Sequence, residues 1–244
     1  MKLAIFDVDG TLLNNLASED ACFAKAVSEV LRLPELNTDW ATYGHVTDGG
    51  IATEAYRRVY STDPAPALLD AVIARFVELL AITHRTEHIT EVAGASNLLL
   101  ALPSLGWSVA IATGAWQRAA SFKLTAGALP WEQLPIATAE DGPARTDIVQ
   151  RARAQAETLY NVSSFEKVVS IGDAVWDVTT ARALGLPFVG VGRGVRANRL
   201  RMAGASIVLA DFADVETVLL ALEQAVIPRT AGAHASSDDQ RYAI

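Results

Sequence analysis

The sequence predicts an α/β fold: a doubly wound parallel sheet carrying an inserted helical cap. Three observations point there. Short runs of β-forming residues recur without polar alternation, which is how strands buried on both faces read. Helical stretches lie between those runs, the alternation of a doubly wound sheet. One long block near the N-terminus breaks the alternation and reads as helix throughout.

In order along the chain, Leu3 to Phe6 is the first strand. Residues 15–88 form the helical block. Ser18-Glu19-Asp20 opens its first helix with a cap and first-turn acids, and Leu33-Pro34 closes it. Thr47 or Asp48 caps a second helix that runs through Tyr60. Pro64 and Pro66 punctuate a third that reaches about His84. A block of this kind directly after the first strand is read as a separate cap. The core domain is therefore split into residues 1–14 and 89–228. Within its second part, strands are expected at Val109 to Ala112, Val168 to Ile171, Phe188 to Val191 and Ile207 to Leu209. Helices are expected at Ser96 to Leu102, Trp116 to Thr125, Thr146 to Tyr160, Val175 to Leu184 and Ala213 to Ala225. The small, polar tail 229–244 is expected to be disordered.

Composition narrows the partners. The 244 residues are 51% hydrophobic and 20% charged, ordinary for a soluble globular chain, and the formal net charge is −8. That balance disfavours nucleic-acid backbones and anionic membrane surfaces. The longest apolar stretch, Leu98 to Trp116, is interrupted by Pro103, Gly106 and Gly114 and reads as helix, turn and buried strand, not as a membrane span. The start of the sequence has no signal-peptide pattern, and a cytoplasmic location is expected. The lone Cys22 allows no intrachain disulfide and reads as a small buried apolar residue. A monomer and a homodimer fit the sequence equally.

Four segments carry chemistry. The first is Asp7-Val8-Asp9-Gly10-Thr11, at the carboxyl end of the first strand, where ligands bind in open α/β sheets. Asp7 and Asp9, two apart in extended chain, face one side and can approach one reacting atom. Their mutual repulsion calls for a cation or a shared proton. Gly10 permits a sharp turn, and the backbone amides after it could cradle an anion. The second, Ile111-Ala112-Thr113-Gly114, offers a hydroxyl and a helix N-terminus to a phosphate oxygen. The third is a basic residue: Arg145, just before a helix, could neutralise a phosphate and hold Asp7, and Lys123 is the other candidate. The fourth, Gly172-Asp173-Ala174-Val175-Trp176-Asp177, is read with Asp173 and Asp177 one turn apart on one helix face, a pair suited to a hard cation.

Together and in order, these segments resemble the haloacid dehalogenase-like hydrolase superfamily from Leu3 to about Leu222. The opening Asp-x-Asp-Gly-Thr and the later Gly-Asp-x-x-x-Asp are the most specific marks, and the helical insertion looks like the type 1 cap of phosphoglycolate phosphatase-like members. The resemblance implies a Rossmann-like core and a magnesium-dependent phosphatase acting on a small phosphorylated metabolite. It implies that Asp7 attacks phosphorus and that Asp9 protonates the leaving oxygen and then activates water. It implies that Thr113 binds a phosphoryl oxygen. Asp173 would ligate magnesium together with Asp7 and the backbone carbonyl of Asp9, with Asp177 supporting the metal shell. The family usually has a lysine at the third motif. None occurs between Lys123 and Lys167, and Arg145 matches best by position. By family pattern, dehalogenases and phosphonoacetaldehyde hydrolases lack a carboxylate at the position of Asp9, so a phosphoester is the expected substrate.

The loop Tyr43 to Gly50 is the candidate substrate selector, through His45 and Asp48, with glycines for movement. Two other readings stand beside the phosphatase. A phosphomutase of the same architecture would keep the phosphate on Asp7 and pass it to a sugar. A non-catalytic phosphate-binding member would follow if Arg145 did not replace the lysine.

Overall fold

The computed structural model describes residues 1–14 and 18–230. At its centre lies β1 (Lys2–Phe6). It is flanked by β4 (Trp107–Ala112) on one side and β6 (Lys167–Gly172) on the other, both parallel to it. Beyond them lie β5 (Ile136–Ala137), β7 (Phe188–Val191) and β8 (Val208–Leu209). The six-stranded sheet has the order β5-β4-β1-β6-β7-β8.

The missing alternation in β1 has its explanation in the packing. Ala4, Phe6 and Val8 belong to one apolar cluster, while Leu3 and Ile5 belong to a second on the opposite face. Helices α4 (Ala95–Ala101), α5 (Gln117–Ala126), α6 (Arg145–Leu159), α7 (Val175–Ala183), α8 (Gly194–Met202) and α9 (Val215–Gln224) accompany the sheet.

The sequence reading missed three features. The edge strand β5 has two residues and follows a proline, too little for any pattern. Helix α8 carries Arg196, Arg199 and Arg201 and buries only Ala197 and Leu200. The third is an antiparallel pair, β2 (Leu13–Asn14) with β3 (Thr90–Glu91), which closes the base of the helical insertion. Asn14 fastens it by donating from Nδ2 to Thr90 Oγ1 and to the carbonyl of Glu91.

The insertion contains α1 (Glu19–Leu31), α2 (Asp48–Tyr60) and α3 (Pro66–Thr83). Ser18 does not cap α1 with its side chain. Its hydroxyl donates instead to Glu87 at 2.8 Å. Thr47, and not Asp48, caps α2: Thr47 Oγ1 accepts from the amide of Gly50. The apolar side of the insertion continues the core cluster without a break, with Phe23 of α1 5.8 Å from Trp116 of the core by ring centroids. Of the tail, residues 231–244 lie outside the described residues, while the amide of Arg229 is bonded to the carbonyl of Gly204.

Candidate active site

The carboxyl ends of β1, β4 and β6 meet the insertion across a cavity of about 890 Å³. Asp7 follows β1 directly, only 6% exposed, its amide donating to Ile171 of β6. The chain then turns sharply. Gly10 takes a φ of +79°, and a Cβ there would collide with the carboxylate of Asp173. Glycine at this point is a condition for bringing Asp173 against the first motif.

The amides after Gly10 do not form the expected anion cradle, because those of Thr11, Leu12 and Leu13 all donate to the carbonyl of Val8. Gly10 itself donates to the carbonyl of Leu13, closing the turn. The Thr11 side chain is fully buried and does not line the cavity. Among the described residues, the amides of Val8 and Asp9 have no such intramolecular acceptor and are the donors left beside Asp7. The signal for this was the turn itself, which uses up the later amides first.

Asp173 and Asp177 do come together, but not on one helix face. Asp173 belongs to the loop after β6, and α7 begins only at Val175. Asp177 accepts from the amide of Ala174 at 3.0 Å and so caps its own helix. Asp7, Asp173 and Asp177 each present a carboxylate oxygen within 4.8 Å of the other two. Burial, and after it the charge of Asp177, push the Asp7 carboxyl well up from the usual carboxylate range and that of Asp173 up to about 7. Burial likewise raises Asp177, against the opposing pull of Arg145. Three crowded, buried oxygen donors of like charge fit a hard divalent cation, which would relieve both the burial and the repulsion. Both oxygens of Asp177 already have partners, Arg145 and Ala174. That leaves Asp7 and Asp173 better placed for direct contact with a metal and Asp177 for support.

Arg145 is the basic residue beside Asp7 and Asp177. Its Nη1 lies 3.3 Å from Asp7 Oδ1 and 2.8 Å from Asp177 Oδ1, and its Nε donates to the carbonyl of Val46 in the insertion. Burial opposes its charge, and Asp177 and Asp7 outweigh that. Lys123 does a different job. It is 2% exposed and bonds Asp9 Oδ1 at 2.5 Å and Glu19 Oε1 at 2.6 Å. Arg196, which the motif reading missed, pairs with Asp173 at 3.0 Å from the start of α8.

Thr113 is buried, and its hydroxyl accepts from the amide of Ala115 at 3.1 Å. It borders a small void shared with Asp7, Arg145 and Asp177. Gly114 lines the cavity, and a Cβ there would crowd Arg145 and Val46. Asp48 also lines it and ties the insertion to the core. Its amide donates to Gly114, and its carboxylate accepts from the amide of Trp116 at 3.0 Å. Burial raises its carboxyl to about 7, opposed by Lys123 and that amide bond. His45 is not brought to the site: it is exposed and absent from the cavity wall.

The site joins a parallel sheet, clustered aspartates at its carboxyl edge and an inserted helical block. The haloacid dehalogenase-like hydrolase family model matches residues 1–185, and the chain belongs to that family. Solved structures share the fold. A hydrolase from Pseudomonas syringae has a TM-score of 0.67 at 23% identity, covering 90% of this chain and 98% of that one. CbbY from Rhodobacter sphaeroides, in complex with phosphate, has 0.65 at 23%, covering 91% and 98%. A predicted phosphoglycolate phosphatase from Haemophilus somnus has 0.58 at 17%, covering 90% and 98%. The comparison with curated proteins returns no match. Among the described residues, no helix is long and apolar enough to cross a membrane.

Proposed function

We propose that this chain is a magnesium-dependent phosphatase that hydrolyses an organic phosphate monoester through an aspartyl-phosphate on Asp7. The observation that carries this reading is the setting of Asp7. It is buried against Arg145 and grouped with Asp173 and Asp177, while Asp9 stands beside it on the same cavity.

A carboxylate oxygen of Asp7 attacks phosphorus. The bond from phosphorus to the ester oxygen breaks, its electron pair staying on that oxygen, which takes a proton from Asp9. Asp9, now a carboxylate, removes a proton from water. The water oxygen attacks the aspartyl-phosphate, and inorganic phosphate leaves as Asp7 is restored. Arg145 offsets phosphate charge that four aspartates would otherwise repel. Magnesium, held by Asp7 and Asp173 with Asp177 in support, would supply further charge neutralisation at the phosphoryl oxygens.

The test is turnover of p-nitrophenyl phosphate with magnesium and with chelator, by wild type and by Asp7→Asn. Magnesium-dependent release of phosphate, abolished in the variant while its circular dichroism is kept, is the expected result. Near-normal activity of Asp7→Asn removes the nucleophile assignment. Release only in the presence of a sugar bisphosphate activator points to the mutase, and phosphate binding without turnover to a non-catalytic member.

A further inference from the structure

We propose that Lys123 is the positioning residue of the acid–base group, holding Asp9 toward the leaving group and fastening that hold to the cap. This rests on the phosphatase reading above. Lys123 stands on α5, in the core. Its ammonium reaches Asp9 Oδ1, at the end of the nucleophile strand, and Glu19 Oε1, on the first residue of α1 in the cap. One buried side chain thus joins the catalytic turn to the helix that opens the inserted block.

Lys123 contacts Asp9 and Glu19 but has no ion pair with Asp7. The role of offsetting charge at the nucleophile falls to Arg145. The two cations divide the site, one on each catalytic carboxylate. Burial works against the ammonium, and the charges of Asp9, Glu19 and Asp48 outweigh it and keep it protonated. While Asp9 holds the proton that it gives to the leaving group, Glu19 remains the paired carboxylate. An ammonium has donors only, so it can hold Asp9 through Oδ1 without taking up a proton. Oδ2 is then left for proton exchange with the leaving oxygen and with water. A general acid must lie within hydrogen-bond reach of the atom it protonates, and a fixed rotamer secures that reach. Glu19 prevents the ammonium from moving with Asp9, because it anchors Lys123 from the cap side.

The need for Asp9 in the first step depends on the leaving group. An alkoxide must be protonated as it departs, whereas nitrophenolate leaves without help. The value of kcat/KM covers binding and the steps up to departure of the leaving group, and not the later hydrolysis. The experiment therefore compares kcat/KM for benzyl phosphate and p-nitrophenyl phosphate, esters of similar size, at saturating magnesium. Lys123→Met is expected to lose at least about tenfold more on benzyl phosphate than on p-nitrophenyl phosphate. Lys123→Arg is expected to recover most of that difference. Equal losses on the two esters overturn the proposal, because a lysine that only supports packing would slow both alike. If Lys123→Met does not fold, Glu19→Gln carries the same test, with an expected difference of about threefold. Equal losses there also overturn it. Wild type inert toward both esters would overturn the phosphatase reading, and this inference with it.

Discussion

Gly10 and Asp48 show how single residues set the site. Gly10 has the positive φ of a turn and sits where any Cβ would strike Asp173. Gly10→Ala is expected to displace that carboxylate and to cost about a hundredfold in activity through weakened magnesium binding. Magnesium titration of activity checks this, and an unchanged apparent affinity would count against it. Asp48 supplies a pH dependence. Burial raises its folded pKa to about 7, whereas an unfolded aspartate titrates near about 3.9. Between those values the folded protein keeps a proton that the unfolded chain has released. Its contribution therefore declines as pH rises from about 4 to about 7 and is level above that. Asp48→Asn keeps an acceptor for the Trp116 amide without the charge. It should gain on the order of 1–3 kcal/mol relative to wild type between pH 4 and pH 8. Urea unfolding at several pH values measures that gap, and a constant gap would refute it. At this scale the four aspartates were legible because short motifs at strand ends are local, and Arg145 because it matches the family's third motif by position. The pairing of Lys123 with Asp9 was not, since their positions meet only after the chain has folded. Nor was the exposure of His45.

The elements divide the labour by charge. The charged cavity-lining residues that the insertion supplies, Glu19, Asp20, Asp39 and Asp48, are all acidic, and beside them stand Phe23, Trp40, Ile51 and Phe76. The cations on the wall, Arg145, Arg196 and Arg199, belong to core helices. A substrate group directed at the insertion would meet an apolar and acidic surface. A second phosphate on it is therefore disfavoured: glucose 1,6-bisphosphate is expected to be about tenfold poorer in kcat/KM than glucose 6-phosphate. A preference for the bisphosphate would refute this and favour the mutase. The helices α1 to α3 were readable from capping residues, first-turn acids and prolines at their ends. Helix α8 was not, because it buries so few side chains that no apolar stripe marks it. The same helix delivers Arg196 to Asp173, so a silent element contributes to the site.

For the molecule as a whole, magnesium should couple to stability. A ligand bound only by the folded state adds about 2.7 kcal/mol at a hundredfold excess over its Kd, or roughly 5–10 °C in melting temperature for a chain of this size. Asp173→Ala should abolish the shift, and a magnesium shift that survives it would place the ion elsewhere. The doubly wound architecture was legible because both faces of β1 are covered, which removes polar alternation from the sequence. The hairpin of β2 and β3 was not, being two residues on each side. The central place of β1 has a further consequence, for the order of folding. Its register partners begin at Trp107 and Lys167, so the first strand synthesised has to wait for segments made far later. Such distant pairings fold slowly. Asp7, encoded almost at the start, gains the neighbours that its proposed role needs only when β6 and the segment up to Asp177 have emerged and docked. An unfinished chain on the ribosome therefore carries an inert aspartate.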